Sequence, residues 1–393
     1  MLKHRIIVIT AILLVAICTV ALVDIIGFQE PSEAQVIWKN NYGGQGDDRA
    51  FYALSNNGGY LIIGSTQPLE TNRTMGWVLQ IDSNGEIIWS KTYLQGFGTE
   101  LRYALNLTDG YLLVGNEFSE TNNVNGLVIK IDKNGNTIWN ATIGNEKVSK
   151  LFSAFRAQDD FILVGLTYPK DDSNSEGWAS KIDSEGQIVW NCQYSIGIDT
   201  ALRQGVTTTN GDYILAGYTQ TDIYRFLALK IDSDGKLIWN QTYGQGNSQK
   251  AYAIAKQKDG YIIAGDKISS KSDSDMWLLK IDWNGDIIWD KAFGGKMADS
   301  AASITNTKDG NCLVTGFTFS YGEGNRDVWV LKVSESGSLI WSRTIGDSGY
   351  QEAYQVLEVD KNQYIIAGWT DPPGQPELIG KAQYDFFVAK LSP

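Results

Sequence analysis

Residues that carry enzymatic chemistry are scarce here. The 393-residue chain has one histidine, His4, so past that point no imidazole can act as general base, activate a Ser or Cys nucleophile, or bind a metal. Ser-His and Cys-His catalysis and most zinc and copper sites are thereby excluded. Carboxylates and guanidiniums remain. Acids such as Asp47-Asp48 would permit a paired-carboxylate glycoside hydrolase, which needs no histidine but does need a carboxylate separation that only a structure gives. Arg102 and Arg203 stand at equivalent positions of a repeat described below and would hold an anionic ligand, although sialidase-like chemistry would want a third arginine, an acid and a nucleophile. No catalytic residue, metal site or cofactor is assigned.

Charge and composition narrow the partners. Lys plus Arg number 33 against 45 Asp plus Glu, a net charge of −12, which is a poor match to a phosphate backbone, so no nucleic-acid partner is expected. Hydrophobic residues at 43% and 13 Trp beside only 7 Pro describe a folded chain. At the N-terminus Lys3, His4 and Arg5 precede the uncharged run Ile6 to Val23, and acids follow it. This reads as an export signal, residues 1–27, with a linker over 28–34, either retained as a transmembrane anchor or cleaved near Ala34 after Ser32-Glu33. The rest of the chain is then extracytoplasmic, secreted or anchored at the cell surface, with the membrane touched only through this segment. Asn72, Asn106, Asn140 and Asn240 begin N-x-T sequons, which arise often by chance in Asn-rich strands.

The elements that must position any site repeat at a fixed period. Segments of the type Lys-Ile-Asp-x-x-Gly-x-Ile-x-Trp recur, and the anchoring tryptophans are Trp38, Trp89, Trp139, Trp190, Trp239, Trp289 and Trp341, spaced 51, 50, 51, 49, 50 and 52 residues apart. Gly64, Gly115, Gly165, Gly217, Gly265, Gly316 and Gly368 form a second ladder of seven, each ending a short apolar run. Each unit reads as four strands, in the fifth unit Ala251–Lys256, Tyr261–Gly265, Met276–Ile281 and Ile287–Phe293. Asp259-Gly260 and Asn284-Gly285 supply the two positive φ values of primed hairpin turns. Val36 to Tyr42 is a lone fourth strand and the last unit supplies only three. Joining them predicts one all-β, seven-bladed β-propeller of four-stranded antiparallel blades over 35–393, closed by strand 36–42 completing the last blade. Cys192 and Cys312 then fall three blades apart, too far to pair, and are expected to be two buried free thiols.

The repeated residues carry resemblances. Asp82-x-x-Gly85-x-x-x-Trp89 and its copies resemble the tryptophan-docking motif of quinoprotein dehydrogenase propellers and of their non-enzymatic relatives that scaffold outer-membrane protein assembly, with a turn one residue shorter and seven blades where those have eight. The hairpin also resembles the Asp-box of sialidase-type propellers, with a longer Asp-to-Trp distance. Asp259-Gly-Tyr-Ile-Ile-Ala-Gly265 and the Ile-x-Trp-x-x-x-Tyr-Gly segments are similar to exported archaeal and bacterial propeller repeat proteins. These resemblances imply the fold of the quinoprotein-like superfamily. The seven Trp are read as blade-to-blade packing, and Asp82, Asp132, Asp183, Asp232 and Asp282, replaced by Ser334 in the sixth unit, as caps of their own turns.

Variable connections point to a face. From marker Gly to the third strand, at Trp77, Leu127, Trp178, Leu227, Trp277, Trp329 and Phe387, the distances are 13, 12, 13, 10, 12, 13 and 19 residues, whereas the turns between strands one and two are all read as tight Gly turns. Function on a rigid scaffold concentrates on such variable loops. The longest, Asp371 to Tyr384, holds three of the seven prolines and follows Trp369. Tyr224, Arg225, Tyr321 and Arg326 are expected on the same face, suited to sugar or protein contacts. The expected function is a non-enzymatic binding or scaffold propeller for a protein or glycan; the alternative is a propeller glycoside hydrolase with paired carboxylates.

Overall fold

Tyr261-Ile-Ile-Ala264 shows why apolar runs become strands in this chain. All four residues are buried, so neighbouring layers cover both faces of the strand and a continuous apolar run replaces simple alternation. A computed structural model describes residues 34–56, 58–71, 73–121, 123–144, 148–169, 174–270, 273–371 and 383–392. The N-terminal segment 1–33, Asn72 and most of the proline-rich loop lie outside them. The described residues contain 28 β-strands, and among them no helix is long and apolar enough to cross a membrane.

These strands form five four-stranded sheets and one eight-stranded sheet. The eight-stranded sheet is two antiparallel runs of four joined by one parallel pair, Val124 with Val148. One four-stranded sheet combines the two ends of the chain: Gln35–Tyr42 pairs antiparallel with Asp385–Ser392, which pairs with Gln363–Thr370 and then Gln351–Asp360. Apolar clusters bind successive sheets face to face. Ile214, Ala216, Phe226 and Ala228 of one unit pack with Ala251, Ile263, Trp277 and Leu279 of the next. Ala50, Ile62 and Leu79 likewise pack with Tyr42, Ile365, Ala367, Phe386 and Val388 of the sheet that joins the two ends of the chain. Each such large side chain, fully buried, contributes about 1.5–3 kcal/mol. Repeated antiparallel four-stranded sheets stacked in this way make a β-propeller fold.

The repeat signature also ties sheet to sheet. The rings of Trp89, Trp139, Trp190, Trp239 and Trp289 lie against Gly135, Gly186, Gly235, Gly285 and Gly337 in the next unit's turn. Trp38, Trp190 and Trp289 donate Nε1–H to the carbonyls of Ser83, Ser233 and Glu335, at 3.2, 3.0 and 3.2 Å. The ladder tryptophans up to Trp289 are only partly buried. Trp341, whose next unit takes its fourth strand from the chain's N-terminus, is instead buried in a cluster with Ala34 and Tyr364. Four tyrosines add a second link: Tyr42, Tyr93, Tyr194 and Tyr243 donate to the carbonyls of Gly85, Gly135, Gly235 and Gly285 at 2.6–2.8 Å. Replacing Tyr243 with phenylalanine, the residue at the equivalent Phe293, leaves the Gly285 carbonyl without this donor. The expected loss is about 1–2 kcal/mol in urea unfolding; an unchanged midpoint would show that the hydroxyl does not hold the sheets together.

Two details of the turns differ from expectation. In the third-to-fourth turns only glycine is left-handed: Gly285 has φ 92°, while Asn284 is not among the positive-φ residues. The reason is the preceding aspartate. Asp282 Oδ1 accepts the amides of Asn284 and Asp286 at 2.8 and 2.9 Å, and Asp82, Asp132, Asp183 and Asp232 do the same in their units. With that side-chain turn in place the residues before the glycine have no positive φ, and a single αL glycine closes the hairpin through a register shift at Lys280/Ile281. Ser334 Oγ substitutes by accepting the Ser338 amide at 3.0 Å. The first-to-second turns are likewise not all glycine turns, since Gln158 and Asn362, with φ 61° and 59°, take the left-handed position in the third and last units.

Candidate functional site

The marker glycines position the site. A side chain at Gly265 would strike the carbonyl oxygen of Lys250 and lie 2.8 Å from Ala251 Cα, and the other six markers face the matching carbonyl of their own first strand. That close approach accompanies a bulge in every first strand, between Ala50 and Tyr52, Leu101 and Tyr103, Leu151 and Ser153, Leu202 and Gln204, Ala251 and Ala253, Ala301 and Ser303, and Ala353 and Gln355. A bulge leaves one residue unpaired and re-aims its side chain. The seven bulged residues are Phe51, Arg102, Phe152, Arg203, Tyr252, Ala302 and Tyr354, and all of them line one cavity of about 370 Å³.

The cavity is aromatic with a few charged groups. Arg102 lies 4.1 Å over the Phe51 ring and is paired with Glu100 at 2.6 Å. Arg203 is stacked 3.9 Å over Phe152 and 5.5 Å from the Tyr252 ring. Burial lowers its pKa; Tyr218 opposes that shift, and the nearby charge of Arg102 adds to it. Asp266 follows its marker glycine and accepts the Lys250 amide at 3.2 Å and the Tyr252 hydroxyl at 3.4 Å. Burial pushes its carboxyl up to about 6, against the lowering effect of those bonds and of the Lys250 charge. Glu352 is also pushed up by burial, opposed by Arg326, whose Nη1 lies 2.8 Å away.

The structure gathers some of the expected residues here and leaves others apart. Arg102 and Arg203 are in the cavity wall. Arg326 reaches it indirectly, bonded to the wall residue Glu352 and stacked 3.9 Å over Phe317. Trp369 is buried, donates to Tyr354 Oη at 3.5 Å and lies 5.9 Å from the Arg326 guanidinium. Tyr224 packs edge-on to Tyr218, which in turn meets Tyr252. Arg225 is engaged elsewhere, with Asp222 and the Gly244 carbonyl. Tyr321 is exposed, stacks on Trp329 and donates to the Gly294 carbonyl. The expected pair of buried thiols is half right: both are free, but only Cys312 is buried, its thiol pushed up to about 12 mainly by burial, while Cys192 is partly exposed at a sheet edge.

Sequence reading missed Phe51, Phe152, Tyr252, Tyr354, Asp266 and Glu352. A signal existed: the bulged residue stands 13 or 14 positions before the marker glycine in all seven units. The difference between the two arginines was legible as well, because Glu100 precedes Arg102 by two residues whereas Ala201 stands at that place before Arg203.

Comparison with known proteins adds the family. No curated protein matches the chain. Among solved structures, Kuenenia stuttgartiensis hydrazine synthase is similar with a TM-score of 0.53 at 10% identity, covering 81% of this chain and 92% of that one. The β-propeller domain of the Trilobed protease from Pyrococcus furiosus gives 0.47 at 11% identity, covering 88% of this chain and 94% of that one. Pyrococcus horikoshii acylaminoacyl peptidase gives 0.46 at 11%, covering 89% of this chain and 51% of that one, so the chain spans about half its length. At such identities the likeness concerns the fold alone. The PQQ_2 family, described as outer membrane protein assembly factor BamB, matches residues 74–252 and 175–364, together more than half of the sequence, and the chain belongs to that family.

Proposed function

We propose that the chain is an exported, closed seven-bladed propeller that acts as a non-enzymatic binding or scaffold module at the cell surface, recognising a protein or glycan. The single observation that carries the reading is the convergence of seven bulged side chains on one aromatic and cationic cavity. A rigid ring that aims one residue per unit at a common space is suited to holding a ligand. Pairing of Gln35–Tyr42 with Asp385–Ser392 supports closure, and 28 strands in fours support seven blades. The first-strand residues before the bulge, Ser300 and Glu352, and the second-strand residues after the marker, Asp266 and Phe317, extend the cavity wall toward the variable connections. The family description as an outer membrane assembly factor accords with export through segment 1–27.

One observation favours the hydrolase alternative. Asp266, with a pKa of about 6, and Glu352 both line the cavity, and a raised carboxyl is what a glycosidase needs as its acid. The two readings separate in one experiment. The full-length protein is screened for binding to surface glycans and envelope proteins and, in parallel, for turnover of chromogenic glycosides. Saturable binding without turnover is expected. Turnover lost in both Asp266→Asn and Glu352→Gln, with no bound ligand in the screen, would replace the binding module by the hydrolase.

A further inference from the structure

Arg203 is the one bulged residue whose charge is left unmatched. Arg102 is neutralised by Glu100 at 2.6 Å, and Glu352 by Arg326 at 2.8 Å. Among the described residues the Arg203 guanidinium has neither an ion-pair nor a hydrogen-bond partner; it is held by the faces of Phe152 and Tyr252. Stacking satisfies the face of a guanidinium but not its edge, where five N–H donors lie in a planar fork. A partly buried cation with idle donors that lines a cavity carries a desolvation penalty which an anion entering the cavity would relieve.

We infer that the cavity binds a small ligand bearing a single carboxylate on a ring, the carboxylate forked on Arg203 and the ring placed among Phe51, Phe152 and Tyr252. This deepens the binding-module reading and rests on it. The charge count selects a monoanion. One positive charge is free, and the other charged groups of the wall are Arg102, already paired with Glu100, Glu352, already paired with Arg326, and Asp266, so a dianionic phosphate would bring more negative charge than the wall compensates. The planar fork engages a carboxylate through two parallel N–H···O bonds, as it would a phosphate, so the discrimination between them rests on charge. A volume of about 370 Å³ holds one ring, sugar or aromatic, and the faces that line it suit either.

The test is calorimetric titration of the full-length protein with benzoate, glucuronate, benzamide, glucose and inorganic phosphate. At least one of the two carboxylates should bind, and its neutral counterpart, benzamide or glucose, about ten-fold or more weakly. Phosphate should bind no better than the neutral compounds. Arg203→Gln should weaken the carboxylate by about ten-fold or more while Arg203→Lys retains part of the affinity, with Lys236→Gln, in an exposed outer turn, unchanged. Unfolding midpoints of each variant separate lost binding from lost folding, and the neutral-ligand comparison on the unaltered protein stands even if Arg203→Gln fails to fold. Equal binding of carboxylate and neutral compounds, preference for phosphate, or no binding of either carboxylate overturns the inference. Glucose bound as tightly as glucuronate would leave the binding module intact while removing the carboxylate; chromogenic glycoside turnover without any bound ligand would remove the module itself.

Discussion

Replacing Gly265 with alanine is expected to cost about 3–5 kcal/mol, at the upper end of single-residue effects. The added Cβ would collide with the Lys250 carbonyl and come within 2.8 Å of Ala251 Cα, both of them backbone atoms that no rotamer change can move. Either the bulge straightens, which withdraws Tyr252 from the cavity, or the first two strands part and lose ladder hydrogen bonds. Gly44→Ala is the matched control, since nothing lies within 4 Å of a Cβ there, and it should change stability by less than about 0.5 kcal/mol. Urea midpoints of the two variants decide the matter. If Gly265→Ala is no worse than Gly44→Ala, the marker glycines are not there to admit the bulges.

The second large effect is pH-dependent. The Asp266 carboxyl titrates near 6 in the folded chain against an ordinary 3.8, so between those values the native state holds a proton that the unfolded state has released. Stability therefore falls as pH rises from about 4 through 6, and the penalty is complete above the folded pKa. A difference of about two units corresponds to about 3 kcal/mol at most. Asp266→Asn removes the penalty and can still accept the Lys250 amide. It should raise the unfolding midpoint at pH 8 and leave it nearly unchanged at pH 4. A gain of the same size at both values would assign the effect to packing, and a loss at pH 8 would show that the ionised carboxylate is wanted by the fold.

How much of this was legible depends on the range of the interaction. The apolar runs before each marker glycine and the Trp ladder reveal the strands and their period, because a strand covered on both faces must be apolar at consecutive positions, as at Tyr261–Ala264. The turn aspartates are equally local, each bonding amides two and four residues ahead. Their exact turn type was misread since Asn-Gly suits more than one hairpin, and the Asp282 side chain chooses the one with a single αL residue. Trp369 shows the opposite case: it precedes the longest loop, but Tyr354 and Tyr384 of its own unit and Arg49 and Arg326 of neighbouring units surround it, and it is buried.

The repeat, the strand pattern and the residues that dock one unit on the next can be read along the chain, because they follow from burial and spacing within about fifty residues. Which side chains share the cavity, and what charge each retains there, follows from the stacking of the sheets instead. Arg203 is set by Phe152 and Tyr252, one unit before and one unit after it, and Glu352 by Arg326. Desolvation and charge pairing are properties of such assembled neighbours, so they exist only once the sheets have stacked.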